Sequence, residues 1–490
     1  MRFFNIPEKL GNNIGKKEVI NQENDFFNNI NPHNGEIICK VMASKKSDVE
    51  FAIKNAKENQ MKWASIPPVK RGQILFEIAE LMEKYKNDIA EIVSNETGKI
   101  LSHALGEVGG AIAEARFNAG EGQRFFGRTT TSGVENKYAM TIREPLGVAG
   151  LIIASNTPIA NVAWKVFPAL ICGNAVVLKA SEDAPLTSWI FGKICEESKL
   201  PDGVLNIVQG FGKDAGQPLV ESEDVQVISF TGSTAVGKMI ASVAGQRLAK
   251  VSLELGGKNP LVVCDDADLE KASNWIINSS FSNAGQRCAA SSRIIVFESI
   301  YEKLKNLLIE KTKKLSLGVG EKDYLGPVIN ERQLINMLKD INKAVKNGAK
   351  IIVGGKRMLD EEHKKGFYME PTIIENVAME DEISRKELFG PITCLYKAKD
   401  FKEAIEMAND SPYALTACIH TKNVNRATEF SRKVISGVAV INGGTHGSEP
   451  HMPFGGPKNS GNGSREPGPE ALDVYSNLKD IYQFVDIENL

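Results

Sequence analysis

The sequence lacks a cysteine framework, a long apolar run and an excess of either charge. Its seven cysteines form no CxxC pair and no cluster with histidine, which argues against disulfide pairing and against a zinc site. We therefore predict a reducing compartment and no bound metal. The N-terminus has no apolar stretch followed by a small-residue cleavage site, and no later run is long enough to cross a bilayer. We expect a cytoplasmic protein with no membrane partner.

The charge balance excludes another class of partner. Lys and Arg number 59 against 61 Asp and Glu, which gives a net charge of -2. A surface so balanced offers no electrostatic attraction to nucleic acid or to anionic lipid. The 490 residues are enough for several folded units, each with its own core. The composition favours a protein whose partner is a small molecule.

Short Val, Ile and Leu runs alternate with stretches of helical spacing, which indicates an α/β fold with parallel sheets. In such sheets, ligands bind beyond the carboxyl ends of the strands. A second α/β domain is predicted to begin near residue 257. The predicted strands lie at 147–153, 174–179, 204–209, 225–230 and 251–255 in the first series, and at 260–264, 292–297 and 437–442 in the second.

One cysteine and one glutamate stand out as candidates for covalent catalysis. Cys288 lies among small and polar residues in FSNAGQRCAASSR, and Glu254 lies in LELGGKNP. A thiolate is the best side-chain nucleophile near neutral pH, and a nearby carboxylate can activate the water that releases a captured acyl group. The alternative for Cys288 is a small buried residue with a packing role only.

A possible phosphate-binding turn follows the fourth predicted strand. The segment FTGSTAVGK, residues 230–238, has the pattern of strand, glycine-rich turn and helix, so that backbone N–H groups could hold a pyrophosphate. Its GxTxxG pattern departs from the usual GxGxxG fingerprint, and a plain helix start with a Ser or Thr cap is the alternative. Lys179 and Glu182 follow the second strand and could both reach a ribose, or could be a solvated pair of charges.

These motifs occur together with ELFGPI at 387–392 and PFGGPKNSGNG at 453–463. In this set and order, the chain resembles the NAD(P)-dependent aldehyde dehydrogenase superfamily over its whole length. The resemblance implies a homodimer or homotetramer with three structural parts. These are a Rossmann-type NAD-binding domain at 1–126 and 148–256, an α/β catalytic domain at 257–456, and a small β bridging or oligomerisation element at 127–147 and 470–490.

The resemblance also implies a reaction. Cys288 would attack an aldehyde, and the oxyanion of the thiohemiacetal would be stabilised by the Asn156 amide and a backbone N–H. After hydride transfer to the cofactor, water activated by Glu254 would hydrolyse the thioester to a carboxylic acid. Relatives that pass the acyl group to coenzyme A lack this base, so Glu254 favours hydrolysis. A CoA-acylating semialdehyde dehydrogenase and a catalytically silent structural homologue are the alternatives.

By the same resemblance, NAD is the expected cofactor, and NADP is possible. A carboxylate at Glu182 would bind the ribose hydroxyls and repel a 2'-phosphate, while the neighbouring Lys179 could partly compensate. The residues predicted to bind the cofactor are Lys179 and Glu182 at the ribose, Gly232, Ser233 and Gly237 at the pyrophosphate turn, and Glu387 and Phe389 at the nicotinamide.

The candidate substrate residues suggest a small polar aldehyde. Thr157, Asn161 and either Trp164 or Lys165 recur at helical spacing and would share one helix face. The resemblance implies that part of this face lines the aldehyde tunnel. The loop at 445–454 would add three polar residues near its mouth, which are His446, Glu449 and His451.

Two further expectations concern charged side chains. Arg287, beside the nucleophile, could meet a carboxylate of the substrate or could form a salt bridge that holds the cysteine loop. The remaining scattered histidines are expected at the surface or at helix caps; they are His33, His103, His363 and His420.

Overall fold

The computed structural model describes residues 4–489, so residues 1–3 and 490 of the predicted domains lie outside it. A seven-stranded first sheet contains all five strands of the first predicted series. In spatial order its strands are Lys250–Glu254, Val227–Thr231, Val148–Ile152, Ala175–Lys179, Leu205–Val208, Asn12–Ile14 and Lys17–Val19.

The first five of these strands are parallel, and the two N-terminal strands join antiparallel at one edge. Val148–Ile152 is the first parallel strand in the chain and lies in the middle of the five. The next two strands in the chain lie on one side of it, and the following two lie on the other side. This reversal opens a crevice at the carboxyl ends of the strands, where loops diverge to opposite faces of the sheet.

A seven-stranded second sheet follows in the chain. Its strands are parallel except for the antiparallel first one, and its earliest strand in the chain begins at Asn259. In spatial order the strands are Lys350–Val353, Thr372–Glu375, Ile392–Ala398, Ser291–Phe297, Asn259–Val263, Thr416–His420 and Val438–Ile441.

Two three-stranded sheets complete the architecture. One contains Lys9–Leu10, Ile37–Met42 and Phe26–Ile30, and the other contains Ser476–Phe484, Lys137–Pro145 and Thr129–Thr130. The predicted bridging element at 470–490 begins with a helical turn, Ala471–Tyr475, before its strand. The apolar side chains of this turn pack into the core on the first sheet instead of pairing as a strand.

Helices cover both faces of the two large sheets, and each face has a separate apolar cluster. Within residues 4–489, no helix combines the length and apolar character that a membrane span needs. The helices of eight or more residues are Lys46–Ala64, Pro68–Lys84, Lys86–Thr97, Leu101–Glu121, Pro158–Ile171, Pro185–Glu197, Thr234–Gln246, Leu269–Phe281, Tyr301–Lys313, Glu331–Lys346, Phe401–Asn409 and Val424–Lys433.

Three of the four scattered histidines differ from the expectation of surface or capping positions. His363 and His420 are buried, and their rings bond to the backbone carbonyls of Leu317 and Gly443. Both are structural, because a buried imidazole needs such partners. His103 also departs from the expectation, since it lines a cavity described below.

Candidate active site

Two cavities meet at Cys288, between the carboxyl edge of the first sheet and the loops that lead into the second. The first cavity has a volume of about 460 Å³, and the second has a volume of about 410 Å³. A molecule in either cavity can therefore reach the same thiol. The side chains that line both cavities are Asn156, Thr157, Ala160, Trp164, Cys288 and Phe454.

A strained loop presents Cys288 at this junction. Asn283 and Ala284 have φ values of 57° and 53°, and Gly285 follows at 66°. A Cβ on Gly285 would stand 2.1 Å from the carbonyl oxygen of Gly390, so only glycine fits this crossing. Asn259 donates a hydrogen bond from Nδ2 to the Cys288 carbonyl oxygen at 2.7 Å, which fixes the end of the loop.

All seven cysteines lie within residues 4–489, and among them only Cys288 is not fully buried. Its thiol is neutral in this environment. Burial, followed by the charges of Glu387 and Glu254, raises the pKa of the thiol to about 12. The adjacent Arg287 opposes this shift but does not overcome it. An attack by sulfur therefore requires a group that accepts its proton.

Asn156 follows strand Val148–Ile152 and lies in the lining of both cavities. Its Nδ2 donates to the carbonyl oxygen of Gln286 at 3.0 Å, and its backbone oxygen accepts from Lys99 Nζ at 2.8 Å. These bonds fix the amide beside the cysteine loop. The second N–H of the same amide remains available to an oxygen in the cavity.

Glu254 ends strand Lys250–Glu254, and its side chain faces the first cavity. It is 4% exposed, and neither carboxyl oxygen finds a hydrogen-bond partner within the described chain. Burial and the charge of Glu466 raise the pKa of Glu254 well above its ordinary value, although Lys165 and Arg465 oppose the shift. An unpartnered buried carboxyl is costly to maintain, and its position near enough to Cys288 for its charge to raise the pKa of the thiol suggests a functional reason.

A buried polar network lies behind Glu254. Lys165 Nζ contacts Glu466 Oε2 at 2.7 Å and Ser229 Oγ at 2.6 Å. Lys165 thus faces away from the second cavity, and of the two sequence alternatives Trp164 is the one that lines it. Asn161, the other helix residue predicted there, lines the first cavity and bonds back to Thr157.

The first cavity brings together most of the residues predicted to bind the cofactor. Lys179 Nζ and Glu182 Oε2 form an ion pair at 2.8 Å. Burial opposes ionisation of Glu182, but the charge and hydrogen bond of Lys179 outweigh it and hold the pKa of this carboxyl below its usual range. Ser233 caps helix Thr234–Gln246 at the same edge, so its side chain both starts the helix and lines the cavity.

Glu387 and Phe389 line the other end of the first cavity. The backbone N–H of Gly257 donates to Glu387 Oε1 at 2.9 Å, while burial raises the pKa of Glu387 to about 7. Phe389 has a φ of 56°, which is unusual for a residue with a side chain. A Cβ on Gly256 would stand 2.2 Å from Glu387 Oε2, so the glycine makes room for this carboxyl.

Gly237 does not belong with the cavity residues, although the sequence pattern placed it there. It lies inside helix Thr234–Gln246, where an added Cβ would stand 2.5 Å from Leu255 Cδ2. Its small size allows the helix to approach the strand end closely. The GxTxxG pattern therefore combines residues of two kinds, since Gly232 and Ser233 line the cavity and Gly237 packs the helix.

The second cavity is lined by Arg287 and His446, together with Glu449 from the same loop as His446. His451 is not part of its lining. Sequence reasoning missed His103 and Glu107, which helix Leu101–Glu121 contributes to this cavity. These two residues are four apart and so share one helix face, and this spacing could have identified them as neighbours from sequence.

The comparisons with known proteins agree with this geometry. The family model described as "Aldehyde dehydrogenase family" matches residues 19–481. The chain belongs to the aldehyde dehydrogenase family. It is 38% identical over 474 residues to an alpha-ketoglutaric semialdehyde dehydrogenase of Bacillus subtilis, a match that covers 96% of this chain and 97% of that protein. It is 37% identical over 473 residues to an aldehyde dehydrogenase of Davidiella tassiana, with coverage of 96% and 94%.

The fold of this aldehyde dehydrogenase family member also matches solved structures. A crystal structure of betaine aldehyde dehydrogenase from Staphylococcus aureus in complex with NAD+ has a TM-score of 0.94 and 32% sequence identity. The match covers 96% of this chain and 94% of that one. The predicted α/β fold and the predicted family are thus both confirmed.

Proposed function

We propose that the protein oxidises a small polar aldehyde to the carboxylic acid with NAD as hydride acceptor, and that the acyl group is released to water. The main support is the position of Cys288, which lies where two cavities meet. The carboxyl of Glu254, which has no hydrogen-bond partner within the described residues, lines one of these cavities. The aldehyde enters from the second cavity, and the cofactor lies in the first.

The protein's own residues perform most of the steps. Cys288 Sγ attacks the aldehyde carbon after its proton has passed to a nearby base, and the free N–H of Asn156 donates to the oxyanion that forms. After oxidation to the thioester, Glu254 takes a proton from water as the water attacks the acyl carbon. The carboxylic acid leaves and the thiol is restored. A carboxyl without other partners is free to orient this water.

The first cavity fits a dinucleotide in its chemistry. The start of helix Thr234–Gln246 offers backbone N–H groups to a pyrophosphate, and the carboxylate of Glu182 can accept hydrogen bonds from ribose hydroxyls. NAD supplies the hydride acceptor when it is bound there. Support for NAD also comes from the Staphylococcus aureus relative, whose structure contains NAD+.

A panel assay tests the proposed function. Neutral, hydroxylated and carboxylate-bearing aldehydes are each supplied with NAD or NADP, with and without coenzyme A, and both NADH and free acid are measured. We expect acid and NADH in equal amounts without coenzyme A. NADH formation that requires coenzyme A would favour the acyl-transferring alternative, and silence across the panel would favour the non-catalytic one.

Glu182→Gln should relax the choice of cofactor. The substitution removes the negative charge that repels a 2'-phosphate and leaves Lys179 Nζ, its present partner, free to attract one. We expect the ratio of kcat/KM with NAD to that with NADP to fall by about tenfold or more, as the loss of one close charge contact predicts. Glu50→Gln on an exposed helix face is the matched control. An unchanged ratio would remove Glu182 from cofactor selection.

We also propose a division into domains. We assign the first sheet to an NAD-binding domain at 1–126 and 148–256, and the second to a catalytic domain at 257–456.

The segments 127–147 and 470–490 form a bridging element that pairs with a second copy, as a homodimer or homotetramer. Its support is an outer strand with exposed apolar side chains, of which Leu478, Tyr482 and Phe484 are each more than half exposed. The free cysteines support a cytoplasmic location.

A further inference from the structure

A buried ion pair lies beside the loop that contains Asn156. Lys99 Nζ contacts the Glu107 carboxylate, and the two side chains are only 2% and 5% exposed. The backbone of Lys99 is itself held in place, because Ser94 Oγ donates to its carbonyl oxygen at 2.7 Å. Two charges removed from water carry a large desolvation cost, so a buried pair gains little net stability. A role in placing neighbouring groups therefore explains this pair better than a role in stability.

Glu107 holds the start of helix Pro158–Ile171. Its Oε1 accepts the backbone N–H groups of Ile159 at 3.0 Å and of Ala160 at 3.3 Å. The residue before the helix, Thr157, makes no side-chain cap hydrogen bond. The first N–H groups of a helix lack partners within the helix, and they attract negative charge. The carboxylate of Glu107 therefore supplies, from another helix, the cap that Thr157 does not.

Lys99 holds the residue on the other side of Thr157. Its Nζ donates to the backbone oxygen of Asn156 at 2.8 Å. The same oxygen accepts a hydrogen bond from Asn283 Nδ2 at 3.3 Å, and Asn283 belongs to the strained cysteine loop. The ion pair thus fixes the backbone on both sides of Thr157, with Lys99 before it and Glu107 after it.

The side-chain amide of Asn156 has little freedom to compensate for a movement of its backbone. Its Nδ2 donates one N–H to the Gln286 carbonyl oxygen at 3.0 Å, which leaves one N–H for the oxyanion. Such a donor stabilises a transition state only where it points at the oxygen on which charge develops. A misplacement of about 1 Å in an active site can lower a rate by about 10²-fold. The rate should therefore depend on whatever holds the Asn156 backbone.

The two charges of the pair depend on each other. Burial lowers the pKa of Lys99, while the charge and hydrogen bond of Glu107 oppose that shift. The positive charge of Arg287 adds to the decrease. Without Glu107, Lys99 would lose its proton more easily, and its charge-assisted hydrogen bond to Asn156 would weaken. Both members of the pair are therefore needed to hold the loop.

We propose that Lys99 and Glu107 are positioning residues, which hold the Asn156 amide where it donates to the thiohemiacetal oxyanion. This inference rests on the proposed aldehyde oxidation and adds to it two residues that act through Asn156. Both side chains line the second cavity, but two of the three N–H groups of Lys99 Nζ are already donated to Glu107 and Asn156. The pair should consequently affect the steps that pass through the oxyanion and not the binding of the aldehyde.

The test uses Lys99→Met/Glu107→Gln, a double variant of similar shape that leaves no unpaired buried charge. Rapid mixing measures the first turnover of NADH with saturating NAD and either propanal or the neutral aldehyde of the panel that is oxidised fastest. We expect the maximal rate to fall by about tenfold or more, because the Asn156 carbonyl loses its charged donor. The half-saturating aldehyde concentration should change by less than about twofold, because binding does not depend on the pair.

A matched control is a second ion pair that lines neither cavity. Lys305 and Glu375 are 15% and 9% exposed and lie 3.2 Å apart at Nζ and Oε2. Lys305→Met/Glu375→Gln should keep the wild-type rate of the first turnover. The melting temperature of each variant records the loss of stability separately from the loss of rate.

A double-mutant cycle with Asn156→Ala separates positioning from a general structural role. In the Asn156→Ala background the oxyanion donor is absent, so removal of the ion pair should slow the first turnover by less than about twofold. A loss as large as in the wild-type background would overturn the proposal, and so would a wild-type rate in Lys99→Met/Glu107→Gln.

Two further outcomes are distinguishable from these. An effect confined to the half-saturating aldehyde concentration would overturn the positioning role in favour of direct contact between Lys99 and the aldehyde. Failure of the wild-type protein to oxidise any aldehyde of the panel would overturn the proposed function, and the positioning role with it.

Discussion

Cys288→Ser should reduce the rate of NADH formation from any accepted aldehyde by roughly 10³-fold or more, because the covalent route depends on sulfur. A serine hydroxyl is a much weaker nucleophile at neutral pH, because it loses its proton far less readily than a thiol does. The substitution changes one atom at a half-buried position, so the fold should be retained. The measurement is the steady-state rate with NAD and a saturating aldehyde, together with the circular dichroism of the variant.

The other cysteines provide the control for this result. Cys39 is buried in the small N-terminal sheet, far along the chain from the cavities, and Cys39→Ala should cost stability of about 1 kcal/mol with little effect on rate. Alkylation of the native protein should modify Cys288 first, since the other six thiols are buried. Full activity of Cys288→Ser would contradict the covalent mechanism.

Glu254→Gln should leave acylation possible and slow the release of the acid by about 10²-fold or more, since the general base for water is lost. The expected signature is a burst of NADH close to the enzyme concentration, followed by a slow steady state. A glutamine of the same shape preserves the packing around a side chain that is 4% exposed. The burst is best followed by rapid mixing of the variant with NAD and aldehyde.

The pH dependence of acid release shows whether residue 254 acts as a general base or only fills space. Because the pKa of Glu254 lies well above its ordinary value, the carboxylate forms only as pH rises through that higher pKa. Release of the acid by the wild-type protein should therefore speed up with pH, and this rise should be absent in Glu254→Gln. Hydroxylamine, a nucleophile that needs no base, should restore turnover in the variant. A normal steady-state rate without a burst would remove Glu254 from the mechanism.

The site residues that come from the first sheet could be predicted from the sequence, because they lie at or just after the ends of strands. Asn156 and Glu254 follow or end predicted parallel strands, and the carboxyl ends of such strands meet at one edge. Each of the eight strands in the two predicted series is present within two residues of its predicted ends. Periodicity suffices there, because most of these strands are short and buried and contain a run of apolar residues.

The site residues that come from the second sheet follow the opposite rule, because they precede strands. A search for residues that follow strands would therefore not find them. Cys288 comes just before strand Ser291–Phe297, and Glu387 with Phe389 comes just before Ile392–Ala398. The amino edge of the second sheet therefore faces the carboxyl edge of the first. The chemistry of a thiol singled out Cys288 from sequence, whereas Glu387 and Phe389 were identified only by the resemblance of the motifs, because no spacing rule relates two separate sheets.

The remaining differences arise from packing that one-dimensional patterns do not contain. Gly237 fits a phosphate-binding pattern but serves the contact of a helix with Leu255. His103 looks like an isolated surface histidine, yet helix Leu101–Glu121 places it opposite Arg287 in one cavity. Such partners become visible only when distant segments are brought together in three dimensions.

The most direct test of covalent aldehyde oxidation is to locate the acyl group. Glu254→Gln protein is mixed with NAD and aldehyde, quenched in acid during the burst, digested and analysed by mass spectrometry. Covalent catalysis predicts the mass of the acyl group on the peptide that contains Cys288, and only when NAD is present. An unmodified Cys288 peptide during a confirmed burst of NADH, or an acyl group on another residue, would contradict it.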